Sequence, residues 1–327
     1  MKRNKMSLLI GGLFLACLLL FYFSLTNGAV TISRQTVWEA LFQFDPQNQT
    51  QQIIRNLRLP RVLAAFLIGG AFAVSGALMQ AVTKNPLADS GLLGINSGAS
   101  LGLALSFVFF PTHEATAVLF SFFGALGAAG FIFLLTRFST VGLSPVRLVL
   151  AGVAISSLFS ALSQSLSLFF DLQQDIAFWF IGGVAAITWS RFFNLLPFFV
   201  VAIIGSIFLS AQLNVLTLGD ETAIGLGKNP SFIRGFALVL VVLLAGTAVS
   251  LVGPISFIGL MVPHVARHFS ESYRKIVPLS ILMGGFLVML ADFCARLINP
   301  PFETPFGLLI AAIGVPFLLY KVRRTTL

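Results

Sequence analysis

The sequence predicts an all-α membrane protein with ten transmembrane helices. Of its 327 residues, 57% are hydrophobic and 9% are charged, whereas soluble globular chains carry about 25% charged residues. The apolar residues come in runs close to the roughly 20 residues that cross a bilayer as a helix. No hydrophilic block between these runs is long enough for a soluble domain, so we expect residues 1–327 to form a single transmembrane domain.

Each predicted span is an apolar run bounded by polar or turn residues. In chain order the runs cover residues 7–26, 60–82, 91–110, 115–136, 147–170, 192–211, 232–252, 255–268, 276–298 and 306–320. The first run follows a basic N-terminus, as in a signal peptide, but no Ala-x-Ala site closes it, so we expect an uncleaved anchor. Span eight is short and contains Pro263 and His264, which predicts a helix that is tilted, broken or lined by other helices.

The distribution of Lys and Arg predicts the orientation. Cytoplasmic loops of membrane proteins carry most of these residues. With ten spans and the N-terminus inside, 14 of the 20 Lys and Arg are cytoplasmic, and both termini lie on that side. The net charge of +9 therefore reports topology rather than nucleic-acid binding. The six basic residues left outside are Arg34, Arg55, Arg58, Arg61, Arg191 and Arg296.

The chain lacks the phosphate-binding loop of an ATPase, which reads G-x-x-x-x-G-K-[ST] and uses its Ser or Thr to hold magnesium. The nearest run, from Gly225 to Asn229, lacks the first Gly and has Asn229 at the Ser or Thr position. If ATP drives transport, a separate subunit must hydrolyse it. An ion gradient is the alternative, and Asp292 is the clearest intramembrane carboxylate for such a cycle, although a single carboxylate supports it weakly.

Three external arginines, Arg55, Arg58 and Arg61, are spaced three residues apart, as on one side of a helix. They precede span two at a helix N-terminus, where the helix dipole disfavours a cation by about 0.3–1 kcal/mol. They also lie on the side that positive residues avoid. Two unfavourable placements together favour an anionic partner outside the membrane. The alternative is that these side chains snorkel to lipid phosphates.

Residues 212–231 form the longest predicted cytoplasmic connection. We predict two short helices, one ending at Gly219 and the next at Gly227, because glycine commonly ends a helix in the left-handed conformation. A connection of about 20 residues exceeds the usual 2–8 residues between helices. It is too small to be an enzyme, and we expect it to dock into a groove of a partner protein.

Two further segments carry polar residues inside apolar runs. His264 and His268 have the i, i+4 spacing of a zinc-protease helix, but Val265 stands where that site needs a Glu as general base. We therefore expect hydrogen bonding at a helix end, and not a metalloprotease. Asp292 and Arg296 form an i, i+4 pair. This pair either seals the outer end of span nine, or Arg296 joins Arg58 and Arg61 in an external site.

Nine motifs in these segments resemble the FecCD family, the permeases of ABC importers for iron–siderophore complexes, heme and cobalamin. They run in the family's order from residue 58 to residue 316, and departures from the pattern, such as Thr304 and Phe306, are small. The motifs are Arg58-Leu-Pro-Arg61, Ser75-Gly76 with Gln80, Asn85-Pro86-Leu87-Ala88, Leu93-Gly94, Leu218-Gly219 with Glu221 and Leu226-Gly227, Gly253-Pro254-Ile255 with Phe257-Ile258-Gly259-Leu260, Pro263-His264 with Arg267, Asp292 with Arg296, and Glu303-x-Pro305-x-Gly307.

The resemblance implies a type II ABC importer permease in a bacterial plasma membrane, surrounded by lipid. It implies a second permease subunit, identical or different, two ATPase subunits and an extracytoplasmic substrate-binding protein, and no nucleic acid, cofactor, metal or catalytic residue. Arg58, Arg61 and Arg296 are then expected to dock the binding protein. The residues expected to couple to the ATPase are Leu218, Gly219, Asp220, Glu221, Leu226 and Gly227, within cytoplasmic coupling helices at 212–231. The residues expected to have structural or gating roles are Asn85, Pro86, Gly253, Pro254, Pro263, His264, Asp292 and Glu303.

We therefore expect a permease that imports Fe(III)–siderophore complexes by alternating access, with ATP hydrolysed by its partner. Heme or cobalamin is the first alternative cargo. An ion-coupled secondary transporter is the alternative of a different class, and an intramembrane enzyme would require a metal at His264 and His268.

Overall fold

The computed structural model describes residues 3–28, 30–111, 113–137, 145–300 and 302–325, and these residues form helices and connections without a β-strand. The predicted all-α fold is thus confirmed over the described part of the chain. The α-helices are α1 (Arg3–Thr26), α2 (Arg34–Phe42), α3 (Gln49–Gln52), α4 (Leu59–Thr83), α5 (Ile95–Phe109), α6 (Glu114–Arg137), α7 (Pro145–Phe169), α8 (Gln173–Gly182), α9 (Trp189–Thr217), α10 (Asp220–Gly225), α11 (Pro230–Val252), α12 (Ile258–Phe269), α13 (Tyr273–Ile298) and α14 (Phe306–Thr325).

Seven helical stretches among the described residues are long and apolar enough to cross a membrane. They correspond to seven of the ten predicted spans. The other three predicted spans fall on α5, α12 and α14, which are shorter: α5 has 15 residues and α12 has 12. The seven long stretches are Met6–Thr26, Gln49–Thr83, Glu114–Leu134, Leu150–Phe169, Trp189–Thr217, Pro230–Val252 and Tyr273–Ile298.

Helix α4 lies at the centre of the bundle, and almost every residue from its second turn onward is buried. Its glycines allow two neighbouring helices to approach closely. A Cβ atom on Gly69 would lie 2.1 Å from the carbonyl oxygen of Gly284 in α13, and one on Gly76 would lie 2.0 Å from that of Gly259 in α12. Small residues at a helix interface allow such close backbone approach.

The small residues of α5 serve the same purpose against α6. A Cβ on Gly98 would meet the carbonyl oxygen of Gly124 at 2.3 Å, and one on Gly102 would meet that of Phe120 at 2.1 Å. Gly94 differs from the other two because its φ is +66° and it caps the preceding 3-10 turn. Gly98 and Gly102 thus allow close helix packing, whereas Gly94 serves a turn.

The segment before α4 is a π-helical turn at residues 53–58, in which the N–H of Leu59 bonds to the carbonyl of Ile54. Pro60 follows directly and has no N–H to continue the usual α-helical pattern, which accounts for the wider turn. The wider turn also changes how Arg55, Arg58 and Arg61 are arranged. They do not line one face as the three-residue spacing predicts, and the side chain of Arg55 instead lies 4.4 Å from the ring centre of Phe44.

The connection between α9 and α11 also differs from the prediction of two short helices. Residues 212–217 continue α9 without a break, so the connection contains one short helix, α10. Gly219 and Gly227 do interrupt the helices where predicted, with φ values of +114° and +69°. The helix continues to Thr217 because Leu213 and Leu216 are fully buried, and their packing holds that last turn on the bundle.

Candidate functional sites on two opposite faces

One face carries a cluster of charged residues, which we call the outer arginine cluster: Arg58, Arg61, Asp292, Arg296 and Glu303. They come from the start of α4, the last turns of α13 and the segment before α14. The structure therefore brings together the three arginines that the sequence proposed for one external site. Three cations and two carboxylates give the cluster a formal charge of +1.

Arg61 is the centre of the cluster and is held by both carboxylates. Its Nε and Nη2 donate to Oδ1 of Asp292 at 2.9 and 2.7 Å. Its Nη1 and Nη2 donate to Oε1 and Oε2 of Glu303 at 2.6 and 3.1 Å. The side chain of Asp292 is 2% exposed and that of Glu303 is 44% exposed. Arg61 thus joins one buried carboxylate and one that water reaches.

The other two arginines are buried and bind the end of α1. Arg58 donates to the carbonyl oxygens of Leu25, at 2.7 Å, and Val30. Arg296 donates to the carbonyl oxygen of Ser24 at 3.2 Å and to its hydroxyl group, and pairs with Asp292 at 3.2 Å. The last carbonyls of a helix carry partial negative charge and lack partners within the helix. These two cations therefore cap α1, which the sequence did not predict.

The predicted i, i+4 pair of Asp292 and Arg296 is confirmed, and so is its union with Arg61. Arg296 therefore both pairs with Asp292 within α13 and lies in the same cluster as Arg58 and Arg61. What the sequence did not indicate is that the arginines are occupied by groups of the same chain. A partner that binds them must compete with, or add to, these contacts.

A small cavity of about 150 Å³ opens beside Arg61. Arg61, Asp292 and Glu303 form its polar wall. The remaining wall is mainly apolar and consists of Ile181, Ala185, Ala295, Thr304, Pro305 and Phe306. The cavity is therefore lined by residues of α8, α13 and the segment leading into α14, and the guanidinium group of Arg61 lies at its edge.

The opposite face carries a protruding connection, residues 218–229, which includes α10 and which we call the cytoplasmic knob after the side predicted for it. Its apolar side chains point outward: Leu218, Ile224 and Leu226 are each more than half exposed. Only Ala223 of α10 is buried. Glu221 is exposed at the start of α10, where the helix dipole favours an acidic side chain.

Asp220 connects the knob to two long helices. Its Oδ1 accepts from Nη2 of Arg234 in α11 at 2.7 Å and from Nζ of Lys84, the C-cap of α4, at 3.3 Å. The hydrogen bond from Arg234 is the main reason that the pKa of Asp220 lies below its usual value. One carboxylate thus links the knob to both α4 and α11.

Asp292 and Glu303 belong to the outer arginine cluster, and the other residues predicted to have structural or gating roles lie in two connections between helices and in α12. Asn85 follows the left-handed Lys84, and its side chain accepts from the N–H of Leu87, which makes a tight turn that includes Pro86. Gly253 has a φ of +77°, and a Cβ there would lie 2.5 Å from the ring of Phe180 in α8. With Pro254 it ends α11 and begins the irregular run that precedes α12.

Helix α12 is short because its first turn is replaced by this irregular run. Phe257 has a φ of +73° and lies against Gly314 of α14, where a Cβ would come within 2.4 Å of it. Gln80 bridges α4 to α12 by donating to the carbonyl of Gly259 at 3.0 Å and accepting from Arg267 at 2.5 Å. The prediction that span eight is irregular and enclosed by other helices is confirmed.

The two histidines of α12 do not share a site. His264, which follows Pro263, lies edge-on to Phe317 of α14, with ring centres 5.7 Å apart, and His268 lies against Phe269. Among the described residues, no three or more His, Cys, Asp or Glu side chains form a group that could hold a metal ion. The geometry gives no support to a metal-dependent enzyme.

Sequence reasoning missed a second ion pair on the outer face. Arg191, at the start of α9, donates from Nε to Glu114 at 3.0 Å and lies over the ring of Trp179 at 4.1 Å. The partners are separated by 77 residues in sequence, so no local spacing could have indicated them. Helices α2 and α8, in the two long external stretches, were also not predicted.

Comparison with known proteins places this architecture among transport proteins. The profile of the FecCD transport family matches residues 16–324. The iron(3+)-hydroxamate import system permease protein FhuB of Bacillus subtilis is 45% identical over 318 residues, which cover 97% of this chain and 83% of FhuB. The Fe(3+) dicitrate transport system permease protein FecC of Escherichia coli is 39% identical over 332 residues, covering 99% of each chain.

The solved structures agree with the sequence matches. An inward-facing metal-chelate type ABC transporter superposes with a TM-score of 0.84 at 28% identity, covering 97% of this chain and 99% of the other. PsaBC from Streptococcus pneumoniae, in complex with a Fab, has a TM-score of 0.61 at 18% identity over 88% of this chain and 94% of its own, and so shows likeness of fold alone.

Proposed function

The chain belongs to the FecCD transport family, and from that premise we propose that it is the membrane permease subunit of an ATP-driven importer for Fe(III)–siderophore complexes. The observation that carries this proposal is the match of the family over residues 16–324, nearly the whole chain. The permease works by alternating access, and a separate ATPase supplies the energy because the chain has no phosphate-binding loop of its own.

The cytoplasmic knob supports the ATPase partner. Leu218, Ile224 and Leu226 expose apolar surface on a connection between helices, where neither lipid nor the rest of the chain covers it. Adjacent exposed apolar side chains on such an element are typical of a protein interface. The contacts of Asp220 with Arg234 and Lys84 then pass the movement of the ATPase to α11 and α4. We expect two ATPases, one under each of two permease subunits.

The outer arginine cluster supports the binding-protein partner. Its formal charge is positive on the face that positive residues normally avoid, and Arg61 lies at the edge of a cavity. Acidic side chains of an extracytoplasmic binding protein are complementary to this charge. The cargo is then recognised by the binding protein, and the permease needs no dedicated ligands of its own.

The topology that we propose has ten spans, the seven long helices together with α5, α12 and α14, and both termini in the cytoplasm of a bacterial cell. The charge distribution supports the orientation, since 14 of 20 Lys and Arg are then inside. Two of these three helices are short and packed against longer ones: α5 lies against α6 at Gly98 and Gly102, and α12 lies against α4 at Gly259, so their lengths do not expose unpaired backbone to lipid.

The proposed cargo rests on the relatives. Two similar permeases carry iron(3+)-hydroxamate and Fe(3+) dicitrate in their names, which favours a ferric chelate over the alternatives of heme and cobalamin. The ion-coupled alternative depended on Asp292. Because Asp292 is paired with both Arg61 and Arg296, it is not available as a proton or cation carrier without breaking two ion pairs.

Reconstitution tests the proposal directly. The permease would be placed in liposomes with the ATPase and the binding protein encoded beside its gene, and uptake of radioactive ferric hydroxamate would be measured with and without internal ATP. We expect ATP-dependent uptake that excess heme or cobalamin does not inhibit. Uptake driven by a proton gradient in the absence of the ATPase would contradict the proposal. Competition by heme would contradict the proposed cargo but not the ATP-driven mechanism.

A further inference from the structure

We propose that Glu303 is an internal stand-in for a carboxylate of the docking partner, and that the partner displaces it from Arg61 and so releases the segment leading into α14. This inference rests on the proposed function, since it assumes an acidic partner at the outer face. It assigns to Glu303 the role of a latch that holds Arg61 while no partner is bound.

The two carboxylates on Arg61 differ in a way that marks one as exchangeable. Asp292 is 2% exposed and also pairs with Arg296, so its removal would take a buried carboxylate from both Arg61 and Arg296, which is costly. Glu303 is 44% exposed, and its one ion pair within the described part of the chain is with Arg61. Its replacement by another carboxylate leaves the number of charge-assisted hydrogen bonds on Arg61 unchanged.

The cavity beside Arg61 provides the space for the exchange. Its volume of about 150 Å³ is larger than the roughly 30 Å³ that one water molecule occupies, and carboxylate oxygens already line it. A carboxylate that enters would face Arg61 and be repelled by Glu303, so the two compete for one guanidinium. The cluster is formally +1 with Glu303 in place and +2 when Glu303 has moved away, which makes it more attractive to an acidic partner.

The position of Glu303 links this exchange of carboxylates to the connection between α13 and α14. It lies between the end of α13 and Phe306, the first residue of α14. Apart from the bonds of Glu303, the segment is tied by the N–H of Thr304, which bonds to the carbonyl of Ala295 at 3.3 Å. Phe306 packs on Gly183, where a Cβ would come within 2.6 Å of its ring. Release of Glu303 therefore frees the connection between α13 and α14 next to α8.

Docking affinity is the first test. The permease–ATPase complex in lipid nanodiscs would be titrated with the binding protein encoded beside it, comparing wild type, Glu303→Gln and Glu114→Gln. The neutral amide competes less well for Arg61, so we expect Glu303→Gln to bind the partner about fivefold more tightly. Glu114→Gln is the matched control, because it also removes an external carboxylate that is paired with an arginine, at 3.0 Å, and it lines no part of the cavity.

The possible outcomes separate this inference from the function on which it rests. Equal effects of the two variants would mean that net charge alone matters, and weaker binding by Glu303→Gln would mean that Glu303 is part of the docking surface; either result overturns the latch. Failure of the wild-type complex to bind the partner at all would instead count against the proposed function.

Hydrogen–deuterium exchange of the peptide that covers residues 299–306 is the second test. Release predicts that docking accelerates exchange at Thr304, and that Glu303→Gln does so without the partner. A partner that only covers the surface would slow exchange there. Slower or unchanged exchange on docking would therefore overturn the release, even if the affinities changed as expected.

Discussion

The outer arginine cluster and the cytoplasmic knob are both proposed partner sites, but the chain prepares them in opposite ways. In the cluster, Arg58, Arg61 and Arg296 are all engaged by groups of the same chain, and two of the three are buried. In the knob, Leu218, Ile224 and Leu226 face outward with few internal contacts. Buried cations need partners within the chain, because an unpaired buried charge carries a large energetic cost, whereas exposed apolar side chains need no internal partner and are stabilised when a partner protein buries them.

This difference predicts that substitutions in the cluster change stability first, while substitutions in the knob change assembly alone. The predictions that follow test this contrast in order of expected size.

Asp292→Ala should have the largest effect. It leaves the guanidinium groups of Arg61 and Arg296 without their buried carboxylate, and breaking a buried pair in this way costs about 3–5 kcal/mol. Unfolding of the purified protein by SDS would measure the loss. The control is Glu114→Ala, which removes a carboxylate that is 63% exposed from its pair with Arg191 and should cost less, because Arg191 keeps its hydrogen bond to the carbonyl of Ala186. Equal losses for the two variants would show that the cluster is not structurally special.

The double substitution Ile224→Glu and Leu226→Glu should be next. Burial of each of these side chains in an interface would contribute roughly 1.5–3 kcal/mol to the free energy of binding. We therefore expect the affinity for the ATPase to fall at least about tenfold. SDS unfolding should be unchanged because both side chains are exposed in the isolated chain. Thr222→Glu is the control for added charge, since it introduces one negative charge into α10 without removing a large apolar side chain. Normal pull-down of the ATPase by the double variant would contradict the proposed interface.

Arg234→Gln should have a smaller effect that separates the two connections of the knob. Arg234 is 16% exposed and 2.7 Å from Asp220, whereas Lys84 is 46% exposed and 3.3 Å away. We expect Arg234→Gln to lower the amount of cargo imported per ATP hydrolysed by about two- to threefold, and Lys84→Gln to change it less, since exposed ion pairs contribute little. A larger effect of Lys84→Gln would mean that the knob moves α4 rather than α11.

The smallest of the expected effects is that of pH on the binding of the ATPase to the knob. Arg234 lowers the pKa of Asp220, so this carboxyl stabilises the folded knob above the ordinary Asp pKa of about 3.9, and the contribution is lost only as pH falls through the lowered value. We therefore expect the binding of the ATPase to be constant between pH 5 and pH 8 as far as Asp220 is concerned. A decrease in binding near pH 6 that persists in Asp220→Asn would come from another group.

Local sequence patterns correctly predicted those features that depend only on residues close together in the chain. The glycines at Gly219 and Gly227 end helices where expected, because a left-handed residue is a property of the immediate backbone. The pair of Asp292 and Arg296 was predicted because i, i+4 residues share a helix face. By contrast, the prediction of two short helices in residues 212–231 was correct for one helix only, since burial of Leu213 and Leu216 extends α9 to Thr217.

The sequence alone was thus sufficient to place the protein in a bilayer, because apolar runs and the asymmetry of Lys and Arg are properties of composition along the chain. It also singled out the external arginines as exceptions to that asymmetry. Only the tertiary structure decided what those arginines touch. Arg61 meets Asp292 and Glu303 across 231 and 242 residues of sequence. These contacts depend on the close approach of α4 and α13 at Gly69 and Gly284. Packing between segments so far apart in sequence produces no periodic pattern in the sequence of either helix, so it could not be predicted from the sequence.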